Sequence, residues 1–271
     1  MNCTKRQIFI LIPKWGKTED YFDSNDYFIN QAIALKKSGE NVTVISIKLI
    51  SAKKSQQKFG YRLLNHYQQE NVDIFIFHLF VPIPMLFYRM RERYISWYYY
   101  LILTKFFNLK QNKTKTIIHA HVSHECAYYC LFASKKLDIP IVVTEHYSGY
   151  MTGVASKEDY AKLKKCIQYA NSFIFVGSNF QRKMTSTLGV TKETYLIPNM
   201  VDPDLFYVKT TNTKVFFQFL SAGGLKSNKS FDYVIQAFHN AFPNDNQVRL
   251  VIAGDGIEKA NLKRLIEELH E

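Results

Sequence analysis

Short apolar runs recur along the chain, separated by longer segments of mixed character. QIFILIP near residue 7, NVTVISI near 41, VDIFIFH near 72, KTIIHAH near 115, IPIVVTEH near 139, SFIFVG near 172 and TYLIP near 194 are nearly continuous and rich in β-branched or aromatic residues. That is the pattern of strands buried on both faces of a parallel sheet. Helical segments lie between them, with readable ends: Gly39 closes FINQAIALKKSG, and Ser156 with Asp159 forms a capping box for a helix to about residue 170. Ser178 with Gln181 forms a second box before a stop at Gly189. Alternating strands and helices predict an α/β domain with a doubly wound parallel sheet.

After Pro198 the pattern loosens through NMVDPDLFYVKTTNT, which reads as a crossover. A second series follows. VFFQFLSAGG gives a strand, Phe231, Val234, Ile235 and Phe238 fall at i, i+3, i+4 and i+7 of a helix, VRLVIAG gives another strand and GDGIEKANLKRLIEELHE another helix. The predicted organisation is an α/β domain over residues 1–200, a linker over 201–213 and part of a second Rossmann-like domain over 214–271. Two βα units make at most half of a doubly wound domain and bury little apolar surface alone.

Composition narrows the function classes. The chain has 271 residues, 47% of them hydrophobic, and a formal net charge of +12, so it folds with a real core and attracts polyanions, acidic membrane faces or phosphorylated small molecules. Four cysteines, with Cys126 and Cys130 one helical turn apart, do not make a secreted disulfide framework, and a cytoplasmic setting is expected. Pro13 and Lys14 end the first apolar run too early for a signal peptide. The richest region, LFVPIPMLFYRMRERYISWYYYLILTKFF, is split by Arg89, Arg91, Glu92 and Arg93, so no membrane-spanning helix is expected.

Ligands of open α/β sheets sit beyond the carboxyl ends of the strands. Here those positions are polar: His119, His121, Ser123 and His124 at the fourth run, Thr144, Glu145 and His146 at the fifth, and Gly177 and Ser178 at the sixth. Histidine, carboxylate and hydroxyl at three strand ends suit a general base or a clamp on sugar hydroxyls. His121 and His146 stand at the mouths of their strands, and His119 reads as a buried, satisfied imidazole. A metal reading of HAHVSHECAYYC, as in a metal-dependent hydrolase, lacks any CxxC pair, and the i, i+4 cysteines fit the buried face of a helix. At the first strand, IPKWGKTEDYFDSND contains no GxGxxG fingerprint, although Gly16 permits close backbone approach. RMRERYISWYYY serves equally a nucleic-acid contact, an interfacial membrane helix or an aromatic core helix with a basic face. In SAGGLKSNKSFDYVIQAF, Gly223 and Gly224 with Lys226 and Lys229 before a helix suit a phosphate.

With those residues laid out, the chain resembles glycosyltransferase family 4, the retaining, metal-independent group of GT-B fold. FINQAIALKKSGENVTVISI, IIHAHVSHECAYY, VVTEHYSGY, VGSNFQRKMTSTLGV and LIPNMVDPDLF are similar to its successive acceptor-domain motifs, and SAGGLKSNKSFDYVIQAF and LVIAGDGIEKANLKRLIEEL to the opening of its nucleotide-sugar-binding half. The resemblance implies transfer of a sugar from a nucleotide-diphosphate-sugar to a glycan or lipid-linked hydroxyl acceptor, in surface-polysaccharide or glycolipid synthesis. It implies no cofactor, no metal and no nucleic-acid partner, and peripheral contact with an anionic membrane through residues 85–107.

Residue by residue, the resemblance places His121 near the reacting sugar, Gly223, Gly224 and Lys229 at the donor phosphates, and Gly254, Asp255 and Gly256 near the nucleotide. Gly16, Glu145, His146 and Ser178 fall on the acceptor side. Gly224 stands where the family has an arginine, which removes one fixed charge that Lys226 replaces only as a point charge. The family's glutamate pair falls beyond Glu271, so a C-terminal truncation and weak transferase activity of the chain as given are expected.

Overall fold

The computed structural model describes residues 6–13, 26–51, 64–109, 115–201, 203, 206–207, 216–243 and 245–270; Gly16 and most of the 201–213 linker lie outside them. The chain divides into two compact units, Met1–Val201 and Asp202–Glu271. The first is built on an eight-stranded sheet of order β3-β4-β2-β1-β5-β6-β7-β8. Its strands are β1 (Gln7–Ile12), β2 (Asn41–Ser51), β3 (Leu64–Gln69), β4 (Val72–Val81), β5 (Thr116–His121), β6 (Ile141–Glu145), β7 (Ser172–Phe175) and β8 (Tyr195–Leu196). All pairings are parallel except β3 with β4.

The seven apolar runs are all strands of this sheet. The eighth, β3, is the polar segment LNHYQQ, antiparallel at the edge and absent from the sequence-based expectation. It has no apolar run to betray it, because only one of its sides meets the sheet.

The strand order reverses at β1, whose neighbours are β2 and β5. Right-handed crossovers therefore put helices on opposite faces. Helix α1 (Asp26–Lys37) packs Phe28, Ile29, Ala32 and Ile33 onto Ile8, Ile10 and Ile12 of β1. Helices α2 (Tyr88–Leu101), α3 (Tyr128–Leu137), α4 (Lys157–Tyr169) and α5 (Ser178–Leu188) follow the reversal, and their buried residues join Phe9 and Leu11, the alternate positions of β1, in the larger core. Side chains two apart on a strand share a face, so the same alternation divides β5: Ile118 and Ala120 enter the larger core, whereas His119 and His121 point to the α1 side.

Helix ends explain part of the local structure. Ser156 Oγ accepts from Asp159 N at 3.2 Å and Asp159 Oδ2 accepts from Ser156 N at 2.9 Å, the capping box expected. At α5 the expected box does not form. Gly177 is the extended N-cap, Ser178 already lies in the first turn, and Gln181 Nε2 donates instead to Thr194 O and Oγ1 at 3.0 and 2.9 Å.

The second unit pairs β9 (Phe217–Ala222) with β10 (Val248–Ala253) in parallel and adds α6 (Phe231–Ala241) and α7 (Lys259–His270). On α6 the apolar face is the one anticipated, with Phe231 and Ile235 buried. Much of the two-stranded sheet is open: Phe217 and Leu220 are each 65% exposed.

Candidate active site

The crevice beside a strand-order reversal is the expected ligand site of an open sheet. Here it lies at the carboxyl ends of β1, β5 and β6. In the β5–β6 ladder His121 stands opposite Thr144. His119 Nε2 reaches Thr144 Oγ1 at 2.8 Å, and His121 Nδ1 reaches His146 Nε2 at 3.0 Å. Both contacts step diagonally across the same two strands with the same offset. The His119 and His121 rings lie 4.4 Å apart, and Phe28 of α1 sets its edge against His121 at 4.8 Å and His146 at 5.1 Å. Tyr27 adds a contact with His146 at 4.9 Å.

Burial keeps these imidazoles neutral. It pushes His119 and His146 down to about 4, and His121, fully enclosed with the other two rings beside it, well below its ordinary value. A neutral ring has one bare nitrogen and one N–H, so it handles hydroxyls better than anions.

Glu145 has a different task. Its Oε1 accepts from the backbone N–H of His146 and Tyr147 at 2.9 Å each, and Oε2 accepts from Ser123 N at 2.8 Å. Burial raises its carboxyl, while the Ser123 side chain and then the backbone N–H donors pull the other way. The carboxylate thus ties the end of β6 to the turn after β5. In that turn Val122 holds φ 59° and ψ 106°, a rare conformation for a β-branched residue, with its N–H donated to Thr144 O at 3.0 Å. Cys126 Sγ donates to the carbonyls of Leu11 and His121, and Cys130 is buried in the core, so both thiols serve packing. Among the described residues no group of three or more His, Cys, Asp or Glu gathers as metal ligands.

Buried polar atoms without partners mark places where something else is meant to bind. Two such atoms lie here, His121 Nε2 and His124 Nδ1, and a third, His146 Nδ1, is buried without a well-formed hydrogen bond on a ring that interacts with the Asn199 side chain. His124 packs its ring on Tyr147 at 4.4 Å. Tyr147 folds back over Gly149, where a Cβ would fall 2.2 Å from its ring.

A buried ionic cluster supports this mouth from below. Lys162 Nζ lies 2.9 Å from Glu92 Oε2, outside hydrogen-bond angles, and donates to Tyr129 OH at 3.0 Å. Tyr129 OH donates to Glu92 Oε1 at 3.1 Å, and Lys162 also reaches His124 O at 3.5 Å. The sequence placed Glu92 only as a charge in an arginine-rich run.

In the second unit the two strand ends lean on each other. Gly223 N donates to Ala253 O at 3.0 Å and Leu225 N to Asp255 O at 2.9 Å. A Cβ on Gly254 would lie 2.0 Å from Gly223 O, and one on Gly256 2.3 Å from Leu225 O, so both glycines are demanded by this backbone contact. Gly223 and Gly224 meet no such crowding. Lys226 and Lys229 are exposed around the single turn Ser227–Lys229 that precedes α6, and Asp255 is held below its usual range by the Gly256 N–H and by Lys259.

The structure therefore gathers His121, Glu145 and His146 at one mouth and Gly223, Gly224, Gly254, Asp255 and Gly256 at another, with Lys229 on the loop of the latter. Ser178 is exposed in the first turn of α5. Tyr27, Phe28 and Tyr147 went unnoticed in the sequence. For Tyr147 the available signal was its position just past the end of β6; Tyr27 and Phe28, on α1, had no strand end beside them.

Residues 25–205 match the profile of Glycosyltransferase Family 4, and residues 208–270 that of Glycosyl transferases group 1. No curated protein matches the sequence. Among solved structures, HepE of Anabaena in complex with UDP superposes with a TM-score of 0.64 at 15% identity, over 97% of this chain and 66% of that one. Sucrose-phosphate synthase of Thermosynechococcus elongatus gives 0.61 at 14%, over 98% and 68%. TarM of S. aureus, complexed with UDP, gives 0.60 at 9%, over 98% and 75%. The chain thus spans about two thirds to three quarters of these structures, and they share its fold. With a family profile covering most of its first unit and part of the crossover, the chain belongs to glycosyltransferase family 4.

Proposed function

We propose that the chain carries the acceptor-side domain and the opening of the donor-side domain of a retaining hexosyltransferase. Its donor is a nucleotide-diphosphate-sugar and its acceptor a hydroxyl of a glycan or glycolipid. The bond from the anomeric carbon to the phosphate oxygen breaks, and one from the acceptor oxygen to that carbon forms. The acceptor proton leaves with the nucleoside diphosphate. The observation that carries this reading is the buried, unpartnered Nε2 of His121 at the strand-order reversal, on a ring that burial keeps neutral.

In this reading His121 meets a sugar hydroxyl. Lys226 and Lys229, the N–H groups at the start of α6 and the uncrowded Gly223 and Gly224 face the diphosphate, supplying positive charge to the leaving group. Glu145 positions the mouth and does not react. HepE and TarM were each solved with UDP, which favours a uridine nucleotide as the first donor to test.

The same reading assigns α2 to a membrane surface on the cytoplasmic side. Ile95 and Tyr99 are buried, while Met90 and Trp97, seven residues apart on α2, are 59% and 50% exposed and Leu86 in the turn before it is 86% exposed, with Arg89 and Arg93 nearby in sequence. Apolar anchors flanked by arginines suit an anionic interface. No helix among the described residues is long and apolar enough to cross a membrane.

The test is transfer of labelled sugar from a panel of nucleotide-diphosphate sugars to an extracted glycolipid fraction. Transfer above the His121→Ala background, however slow, supports the reading. Equal label in both proteins with every donor sinks it. Sedimentation with anionic vesicles at low salt, lost in Met90→Asp/Trp97→Asp, checks the membrane surface.

A further inference from the structure

His121 and His146 share one hydrogen bond, and that bond decides which nitrogen of His121 carries its proton. Nδ1 of His121 lies 3.0 Å from Nε2 of His146, while Nε2 of His121 is buried and has no partner. Both rings are neutral and each holds a single N–H, so only one of them donates. If His146 donated, His121 would present an N–H from Nε2. If His121 donates, its Nε2 presents a lone pair.

The surroundings favour the second arrangement. His146 has a second nitrogen, Nδ1, also buried, and the Asn199 side chain favours a proton on this ring. A proton placed on Nδ1 leaves Nε2 of His146 bare to accept from His121. The ring planes have little freedom to change this, because Phe28 abuts both and His119, tied to Thr144, lies against His121. The backbone of His146 is itself held by Glu145.

We propose that His146 is a positioning residue that fixes His121 as the Nδ1–H tautomer, so that a buried lone pair on His121 Nε2 is offered to the O–H of a bound hydroxyl compound. A bare imidazole nitrogen accepts from a hydroxyl and repels an ionised phosphate oxygen, so the mouth selects the uncharged, hydroxylated part of a substrate. The identity of that substrate as a sugar rests on the reading given above; the tautomer does not.

The experiment is nitrogen-15 NMR of the full chain with labelled histidine, following long-range couplings from the ring protons of His121 near neutral pH. A single Nδ1–H tautomer is expected in the native protein, with a mixture or reversal in His146→Ala. His146→Gln should restore it, because its terminal amide reaches the place of the imidazole Nε2, and His146→Asn should not, because its amide stops at the place of Nδ1. An Nε2–H tautomer in the native chain, or an unchanged tautomer in folded His146→Ala, overturns the proposal. If His146→Ala does not fold, the native and Gln spectra still decide it. Parallel assays of labelled-sugar transfer should show kcat falling on the order of tenfold to a hundredfold in His146→Ala with KM little changed, and recovery in His146→Gln. Absence of transfer in all forms, with the tautomers as expected, counts against the transferase reading and leaves the His121–His146 pairing standing.

Discussion

The two strand mouths solve one topological problem in opposite ways. Each lies where parallel strands end and helices begin. In the first unit the mouth is enclosed, lined by neutral imidazoles and braced by a carboxylate saturated with backbone N–H groups. In the second it is open, shaped by glycine backbone contacts and edged with exposed lysines. In the proposed function, uncharged buried rings suit hydroxyls, where geometry matters, and exposed cations suit phosphate, where charge does the holding and salt weakens it.

Acidification should break this contrast most strongly. His119 and His146 bind protons at about 4 in the fold and near 6.5 when unfolded, so between those values the unfolded chain binds more protons and stability falls as pH falls. Each imidazole contributes on the order of 3 kcal/mol between pH 7 and pH 4. Glu145, raised by burial, takes up its proton earlier in the fold and offsets part of this loss just above 4.5. Urea midpoints at pH 7, 5.5 and 4 should drop steadily for the first unit, and a flat profile would contradict the enclosed, neutral mouth.

Next in size is the buried ion pair. Lys162→Met leaves the buried Glu92 with only Tyr129 OH and the more distant Arg91 as partners and should cost about 3 kcal/mol, whereas Glu92→Leu/Lys162→Met should cost less. Equal losses in the single and double variants, by urea unfolding, would show that packing rather than charge holds the cluster.

Glycine should matter in the second mouth as charge does in the first. Gly254→Ala forces a Cβ into Gly223 O and should cost about 2–3 kcal/mol, and Gly224→Ala less than about 0.5 kcal/mol. Thermal melts that rank them otherwise would refute the leaning of the two turns. The smallest effect belongs to the lysines. With the proposed donor site, Lys229→Ala should weaken binding of UDP about twofold at low salt and less at high salt, by calorimetry. Lys259→Ala, which removes only an exposed partner of Asp255, should leave both affinity and melting midpoint unchanged.

Much of the architecture was legible because buried parallel strands write themselves as unbroken apolar runs, and the polar residues just after them mark the mouth. His119 proved satisfied by Thr144, as its place inside the strand suggested. What stayed hidden depended on partners distant in sequence. Glu92 meets Lys162 across three packed helices, and a charge in an arginine-rich run gives no sign of burial. The diagonal from His121 to His146 needs the strand register, which apolar periodicity does not contain. The capping box expected of Ser178 with Gln181 failed because the helix starts one residue early, on the extended Gly177.

The backbone at Val122 carries a final consequence. A β-branched residue at positive φ holds on the order of 1–3 kcal/mol of strain, restrained by the Thr144 carbonyl on one side and by the Cys126 and Ala127 amides on the other. Should those tethers slacken, the segment has a downhill route away from its folded shape. Deuterium should enter the amides of residues 122 to 127 sooner than those of the neighbouring strand interiors, making this corner a loaded hinge at the heart of an otherwise rigid sheet.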